Sequence, residues 1–324
     1  MSDHDEVERT PDDVTLSLSR RDMLRLGLLT VASTAAGPAV FAPGAAAQPA
    51  TLGANLIGKL EGAEVITDPA KFPRRFTEAP ALAELVKAGK LPPVQERIGQ
   101  DPLVVKPLHE IGKYGGTWRR GFTGPFDTSN GHRAAQNDKL LYWDYTGTKI
   151  VPNIARDWKV SPDGKVTTLS LRRGMKWSDG TLFTADDFTF WYEDMYQNRD
   201  LVPTPAPEFQ INGKPGRLIK RDEYTVVFEF PEPYYLFVDI LAGDTLLGGG
   251  QATMMARAAF MGAYAPAHYL KQFLPKYSST DEVQRKAKAA NFDSWVSYYR
   301  NRTNWALNPD LPVLGPWKTV TPIN

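Results

Sequence analysis

VPNIARDWKVSPDGKVTTLSLRRGMKWSDGTLFTADD, residues 151–187, is the stretch on which the reading of this chain turns. Two Asp-Gly pairs, Asp163-Gly164 and Asp179-Gly180, punctuate short alternating runs. Trp158–Ser161 and Val166–Arg172 are expected to be extended. Leu169 and Leu171 share one face, and Thr168, Ser170 and Arg172 the other, as a period of two requires. Pro162-Asp163-Gly164 supplies the reversal, because proline fixes φ and glycine tolerates φ > 0. Thr184 stands at a helix N-cap, and Asp187 lies three residues on, close to a capping box. Phe188, Trp191, Tyr192 and Met195 recur at helical spacing and predict one buried face. Asp186 and Asp187 have the look of paired catalytic carboxylates, but acids in a first helical turn ordinarily complement the helix dipole.

The order of these residues resembles the signature of the family 5 extracellular solute-binding proteins, the oligopeptide and dipeptide receptors of ABC importers. The matching positions are Pro152, Ala155, Trp158, Val160, Ser161, Asp163 and Gly164, then Leu171, Arg172, Gly174, Lys176, Trp177, Ser178, Asp179 and Gly180, then Thr184, Ala185, Asp186 and Asp187. Ala265–Leu270 is similar to the family's Pro-x-His-Tyr-Leu helix start, and Gly315-Pro316-Trp317-Lys318 to its Gly-Pro-Tyr/Trp-Lys element. The resemblance implies an α/β, periplasmic-binding-protein-like fold of type II, family 5. Residues 112–324 would form the first lobe with its inserted subdomain, the second lobe being absent and the chain the first half of a longer receptor. It implies a receptor and not an enzyme, a monomer when full length, which captures oligopeptides in the periplasm and delivers them to a membrane permease. In the family the first strand leads into a loop at the ligand cleft. Here Gly115–Phe122 is the expected strand, and the loop offers Thr123, Gly124, Phe126, Asp127 and Asn130 as ligand contacts, matched by position. The aspartate that meets a peptide's amino terminus in relatives belongs to the second lobe and has no counterpart here.

The beginning of the chain bears on compartment. Ser19-Arg20-Arg21-Asp22-Met23-Leu24-Arg25 resembles a twin-arginine export motif. The apolar run from Leu26 to Ala42 is interrupted by Gly37 and Pro38, too short and broken for a membrane span. Ala45-Ala46-Ala47 offers the small residues a signal peptidase reads, so residues 1–47 are expected to be a signal peptide cleaved after Ala47. The chain has no cysteine, hence no disulfide, no thiolate zinc site, no cysteine nucleophile and no lipobox. A free periplasmic protein without a membrane anchor is the expectation.

Lysine plus arginine number 38 against 37 acids, so no strong field favours nucleic acid or an anionic membrane. Residues 48–111 read as an N-terminal arm, extended to about residue 76, with a short helix from Ala79 to Lys87 and a proline-bearing connector from Leu91 to Ile111. This arm departs from ordinary peptide receptors and resembles a larger subgroup that includes α-galactoside receptors, so an oligosaccharide ligand is the alternative. Further on, a helix is expected from about Arg133 to Leu141 and a strand over Tyr142–Asp144. A hairpin of Arg217–Lys220 with Thr225–Phe230, helices at Tyr234–Leu241 and Ala252–Phe260, and a long helix from Asp281 to Tyr299 follow. His4, His109, His132 and His268 show no metal-ligand spacing, although His132, near the loop, either points at ligand or sits on the surface. Gly248-Gly249-Gly250 lacks the lysine and hydroxyl of a phosphate loop, and no G-x-S-x-G occurs, so neither cofactor nor metal is expected. A secreted glycan hydrolase is a second class of reading. It needs two carboxylates about 5 to 10 Å apart across a cleft, which sequence spacing does not reveal.

Overall fold

The computed structural model describes residues 61–121, 123, 138–248, 250–251 and 262–322. Arg20, Arg21 and Ala47 of the expected signal peptide lie outside them, as does the expected helix at Ala252–Phe260. The arm is more ordered than its composition suggests. Strand β1 (Glu64–Ile66) pairs antiparallel with β2 (Val104–Lys106), setting Val65 opposite Val105. Between them α1 (Pro80–Lys87) starts on its proline and stops at Gly89, whose φ is 67°. A short α2 (Val94–Arg97) interrupts the expected irregular connector. Its order comes from Glu78, which accepts from the Val94 N–H at 3.0 Å and from the Arg97 guanidinium. Three contacts then clamp the arm to the end of the signature strand. The Gln100 N–H donates to the Arg173 carbonyl (2.9 Å), Arg172 Nη1 to the Asp101 carbonyl (3.1 Å), and Lys176 Nζ to the Glu96 carbonyl (2.8 Å). This cover explains why Arg172 is buried although alternation sets it opposite Leu171, and burial lowers its pKa to about 10.

Strands β3 (Leu141–Trp143) and β4 (Ile150–Pro152) form a hairpin. Asp144 closes its turn, accepting from Thr146 Oγ1 at 2.7 Å and from the N–H groups of Thr148 and Lys149. The expected helix ending at Leu141 is corrected here: Asp138–Leu140 are not helical, and Leu141 already pairs with Pro152.

The main sheet contains β5 (Ala155–Val160), β6 (Val166–Leu171), β9 (Arg217–Asp222) and β10 (Thr225–Glu229). Their spatial order is β5-β6-β10-β9, all antiparallel. A small ribbon of β7 (Gln210–Ile211) and β8 (Lys214–Pro215) precedes β9. Gly164 turns β5 into β6 with φ 69°, as the Asp-Gly signal predicts. Thr167, Leu169 and Leu171 of β6 point inward, and Val226 and Phe228 of β10 join them. Helix α3 (Ala185–Phe190) begins on the expected Thr184 capping box and continues as a π-helical segment over residues 191–196. Phe188, Trp191 and Met195 are fully buried, as their spacing predicts, while Tyr192 of the same expected face is only partly buried. The aromatic core gathers on Phe209, whose ring meets Phe228, Phe230 and Phe237 edge-on or tilted at 5.8–6.5 Å.

The remaining α-helices among the described residues are α4 (Phe237–Ala242), α5 (Ala267–Leu270), α6 (Thr280–Ala289) and α7 (Trp295–Arg302). The single helix expected over Asp281–Tyr299 is thus two. Asn291 takes φ 62°, which ends α6, and Ser294 caps α7 by accepting from the Ser297 N–H. The expected first strand Gly115–Phe122 is also corrected, because residues 115–121 enter no strand ladder among the described residues.

Candidate functional site

Asp187 joins three of the signature's elements. Its side chain is 4% exposed. Oδ2 accepts from the Thr184 N–H and from the Trp177 indole N–H, both at 3.1 Å, and Oδ1 accepts from the Ala267 N–H at 3.1 Å. Burial raises its pKa against the lowering effect of these bonds. The Trp177 ring packs edge-on to Phe183 at 5.5 Å and against Tyr264 and His268 at 6.1 and 6.2 Å. His268 Nε2 lies 2.7 Å from Asp179 Oδ2. The Trp-Ser-Asp-Gly, Thr-Ala-Asp-Asp and Pro-x-His-Tyr-Leu motifs are therefore one scaffold. Asp186 turns to solvent and pairs with Lys220 Nζ at 2.6 Å. The two neighbouring carboxylates serve separate partners, and Asp187 already accepts from three donors, which suits scaffolding and not proton transfer.

A second buried polar cluster holds the chain just after the expected ligand loop. The Asp138 carbonyl accepts from the Tyr264 hydroxyl, and Asp138 Oδ2 accepts from the Gln251 N–H at 2.8 Å. The Gln251 side chain donates to the Pro312 carbonyl (2.9 Å) and accepts from the Leu314 N–H (3.1 Å). Asp138, Gln251 and Tyr264 are at most 1% exposed, so the network fixes position 138 relative to residues 312–314. Neither Asp138 nor Gln251 sits in a motif, and no sequence signal singles them out.

Of the expected ligand contacts, Thr123 is exposed, while Gly124, Phe126, Asp127 and Asn130 lie outside the described residues, as does His132. The stretch leading to Thr123 runs beside the Gly-Pro-Trp-Lys element. Trp118 and Trp317 have ring centroids 6.1 Å apart, and the Arg120 guanidinium carbon lies 4.8 Å from the Trp118 ring centre. Both tryptophans are more than half exposed, at 62% and 52%, so this corner offers aromatic surface to solvent. Among the described residues no group of three His, Cys, Asp or Glu side chains could hold a metal ion, and no helix is long and apolar enough to cross a membrane.

Residues 149–317 match the family described as bacterial extracellular solute-binding proteins, family 5 Middle, and the chain belongs to that family. The segment that carries the match begins at Lys149, just before β4, and ends at Trp317, so it spans the main sheet, the Asp187 scaffold and the Gln251 network apart from Asp138. The periplasmic alpha-galactoside-binding protein of Rhizobium meliloti (strain 1021) is 30% identical over 271 residues, which is 76% of this chain and 34% of that protein. Among solved structures, an oligopeptide-binding protein OppA superposes with a TM-score of 0.67 at 37% identity, covering 79% of this chain and 37% of its own. The periplasmic binding protein MelB of Agrobacterium fabrum C58, solved in complex with stachyose, gives a TM-score of 0.50 at 26% identity over 80% of this chain and 37% of its own. The chain therefore spans about a third of the length of these relatives. All three are binding proteins.

Proposed function

We infer that this chain belongs to the solute-binding component of an ABC importer, which captures oligopeptides in the periplasm and passes them to a membrane permease. The observation that carries the reading is the superposition on OppA, at 37% identity over 79% of the chain, which extends well outside residues 149–317. The aromatic corner at Trp118 and Trp317, next to Thr123, is suited to contacting ligand side chains. The loop residues Thr123, Gly124, Phe126, Asp127 and Asn130 are the proposed contacts of the first lobe. Export by the twin-arginine route, through Arg20 and Arg21 with cleavage after Ala47, completes the proposal.

An α-galactoside-type oligosaccharide is the second reading, favoured by the Rhizobium relative and by the stachyose-bound MelB. Calorimetric titration of the purified gene product with a pool of short peptides, and separately with stachyose, distinguishes the two. Heat with peptides and none with stachyose supports the first reading, and the reverse supports the second. Sustained release of shorter sugars from stachyose would overturn both in favour of a hydrolase.

A further inference from the structure

Arg172 carries a buried charge that no carboxylate answers. The residue is 7% exposed, and burial lowers its pKa to about 10, so the guanidinium stays protonated at neutral pH. Nε donates to the Asn153 carbonyl at 2.6 Å and Nη1 to the Asp101 carbonyl at 3.1 Å. Nη2 donates to nothing among the described residues, and the group has no ion-pair partner there. A desolvated cation held by two neutral carbonyls is costly, and an anion beside it offsets that cost. The burial comes from the close approach of the arm. The Gln100 N–H donates to the Arg173 carbonyl at 2.9 Å, and a Cβ on the preceding Gly99 would lie 2.7 Å from the same oxygen.

Arg172 lines a cavity of about 520 Å³ between the arm and β5, room for a small organic molecule. Much of the remaining wall is apolar, built from Ile66 of β1, Phe72 and Trp158 of β5. Phe72 follows a 3₁₀ turn over Pro69–Lys71, which Asp68 caps by accepting from the Ala70 N–H at 3.0 Å. Three more charged groups reach the space, Arg156, Asp101 and Asp157. Asp101 Oδ2 accepts from Arg156 Nη1 and from the Arg173 N–H, each at 3.4 Å. Asp157 is exposed, and its Oδ1 accepts from the Trp158 N–H at 2.8 Å. The unanswered positive charge is therefore buried, where electrostatic forces are strong, and the remaining negative charge stands in water, where it is screened.

We propose that this cavity binds a monocarboxylate on an apolar body, the carboxylate accepting from Arg172 Nη2 and the hydrocarbon lying against Ile66, Phe72 and Trp158. The lining selects that class. A guanidinium favours a planar oxyanion, and the apolar wall rewards a hydrocarbon and not a hydrated inorganic ion. Asp101 and Asp157 repel a second negative charge, which disfavours a dicarboxylate or a phosphate. A neutral ligand would leave Arg172 uncompensated. No residue of this site belongs to the loop at 123–130, and the inference does not rest on the importer reading.

The probe is 4-methylpentanoate, titrated into the purified protein while saturation transfer from protein to its methyl protons is followed. It is expected to bind with a dissociation constant of about 1 mM or tighter. Acetate, which lacks the hydrocarbon, and 4-methylpentanamide, which lacks the charge, should each bind at least about tenfold more weakly. Arg172→Met should abolish binding, but this residue also holds the arm, so two milder variants accompany it. Phe72→Ala should weaken binding about fivefold. Asp157→Asn, at an exposed position, should strengthen it about two- to fivefold at low salt, a gain that damage to the fold does not produce. Absence of 4-methylpentanoate binding overturns the proposal. Equal binding of the amide or of acetate does so as well, and so does an affinity unmoved by Phe72→Ala or not raised by Asp157→Asn. Failure here leaves the receptor reading intact, and a protein that captures neither peptide nor stachyose leaves this site intact.

Discussion

Replacing Asp187 with alanine tests whether the signature is a scaffold. The substitution deletes the acceptor for three N–H groups, those of Thr184, Trp177 and Ala267. The Thr184 N–H is only partly buried and can be hydrated. The Trp177 indole and the Ala267 N–H are buried, and each unsatisfied donor costs about 1–3 kcal/mol. Relief from removing a desolvated carboxylate offsets part of this, so the expected net loss is about 2–5 kcal/mol. D187N keeps the shape and one acceptor oxygen but turns an NH2 toward a donor, and should lose about 1–3 kcal/mol. Urea unfolding followed by tryptophan fluorescence, with midpoints compared at a common slope, measures both. The pH dependence has a defined sign. The folded pKa of Asp187 is raised above 3.8, so its contribution is fully present below that value and is lost as pH rises through the folded pKa. The gap between wild type and D187N should therefore widen as pH falls. A D187A protein within about 1 kcal/mol of wild type would refute the reasoning, because two buried donors would then have found partners without the carboxylate.

Three further outcomes are expected. G164V should cost about 1–3 kcal/mol, because φ is 69° and a Cβ would lie 2.6 Å from the Tyr235 ring; an unaltered melting temperature would contradict the turn geometry. Tyr277, pushed up to about 12 by burial and by its bond to the Asp194 carboxylate, should titrate closer to 10 in D194N. Spectrophotometric titration against a Y277F reference checks this, and an unmoved transition would dismiss the carboxylate as a cause. Changing Arg20 and Arg21 together to lysine should leave the precursor in the cytoplasm, and mature protein still found in the periplasmic fraction would sink the twin-arginine proposal.

The parts of this fold that were legible from the sequence are those governed by local chemistry. Asp163-Gly164 forces a reversal wherever it occurs between alternating runs, and Thr184 with Asp187 caps a helix from within four residues. The Phe188–Met195 face followed from period alone. The rest depends on residues distant in the chain. Helix α2 is ordered by Glu78, a residue with no local reason to stand out. The break at Asn291 separates two stretches that share helical composition, and only its positive φ and the cap at Ser294 end one helix and begin the next. Asp187 has the local setting of a helix-dipole residue, yet its contact with Ala267 crosses eighty positions. Asp138 and Gln251 meet across an even longer separation and belong to no motif. The close approach of the Tyr145 ring to the arm depends on Gly62, where a Cβ would lie 2.1 Å from Tyr145 Cγ, and no spacing rule connects a glycine to an aromatic that far along.

The strand order β5-β6-β10-β9 has a consequence for how the chain is made. The central pair, β6 with β10, joins residues that leave the ribosome far apart in time. At roughly 5–20 residues per second, the stretch from Leu171 to Thr225 takes about 3–10 s to emerge. Throughout that interval the β5–β6 hairpin is complete but one edge of β6 is unpaired, and Leu169 and Thr167 lack the Val226 and Phe228 neighbours that later flank them in the sheet. An open strand edge beside an apolar face is a template for pairing with another nascent chain. The vulnerable period closes only when Glu229 is out and β10 zips onto β6. Synonymous codons that slow translation between residues 172 and 224 would lengthen that exposure and raise the yield of aggregate, with no change in any residue of the finished protein.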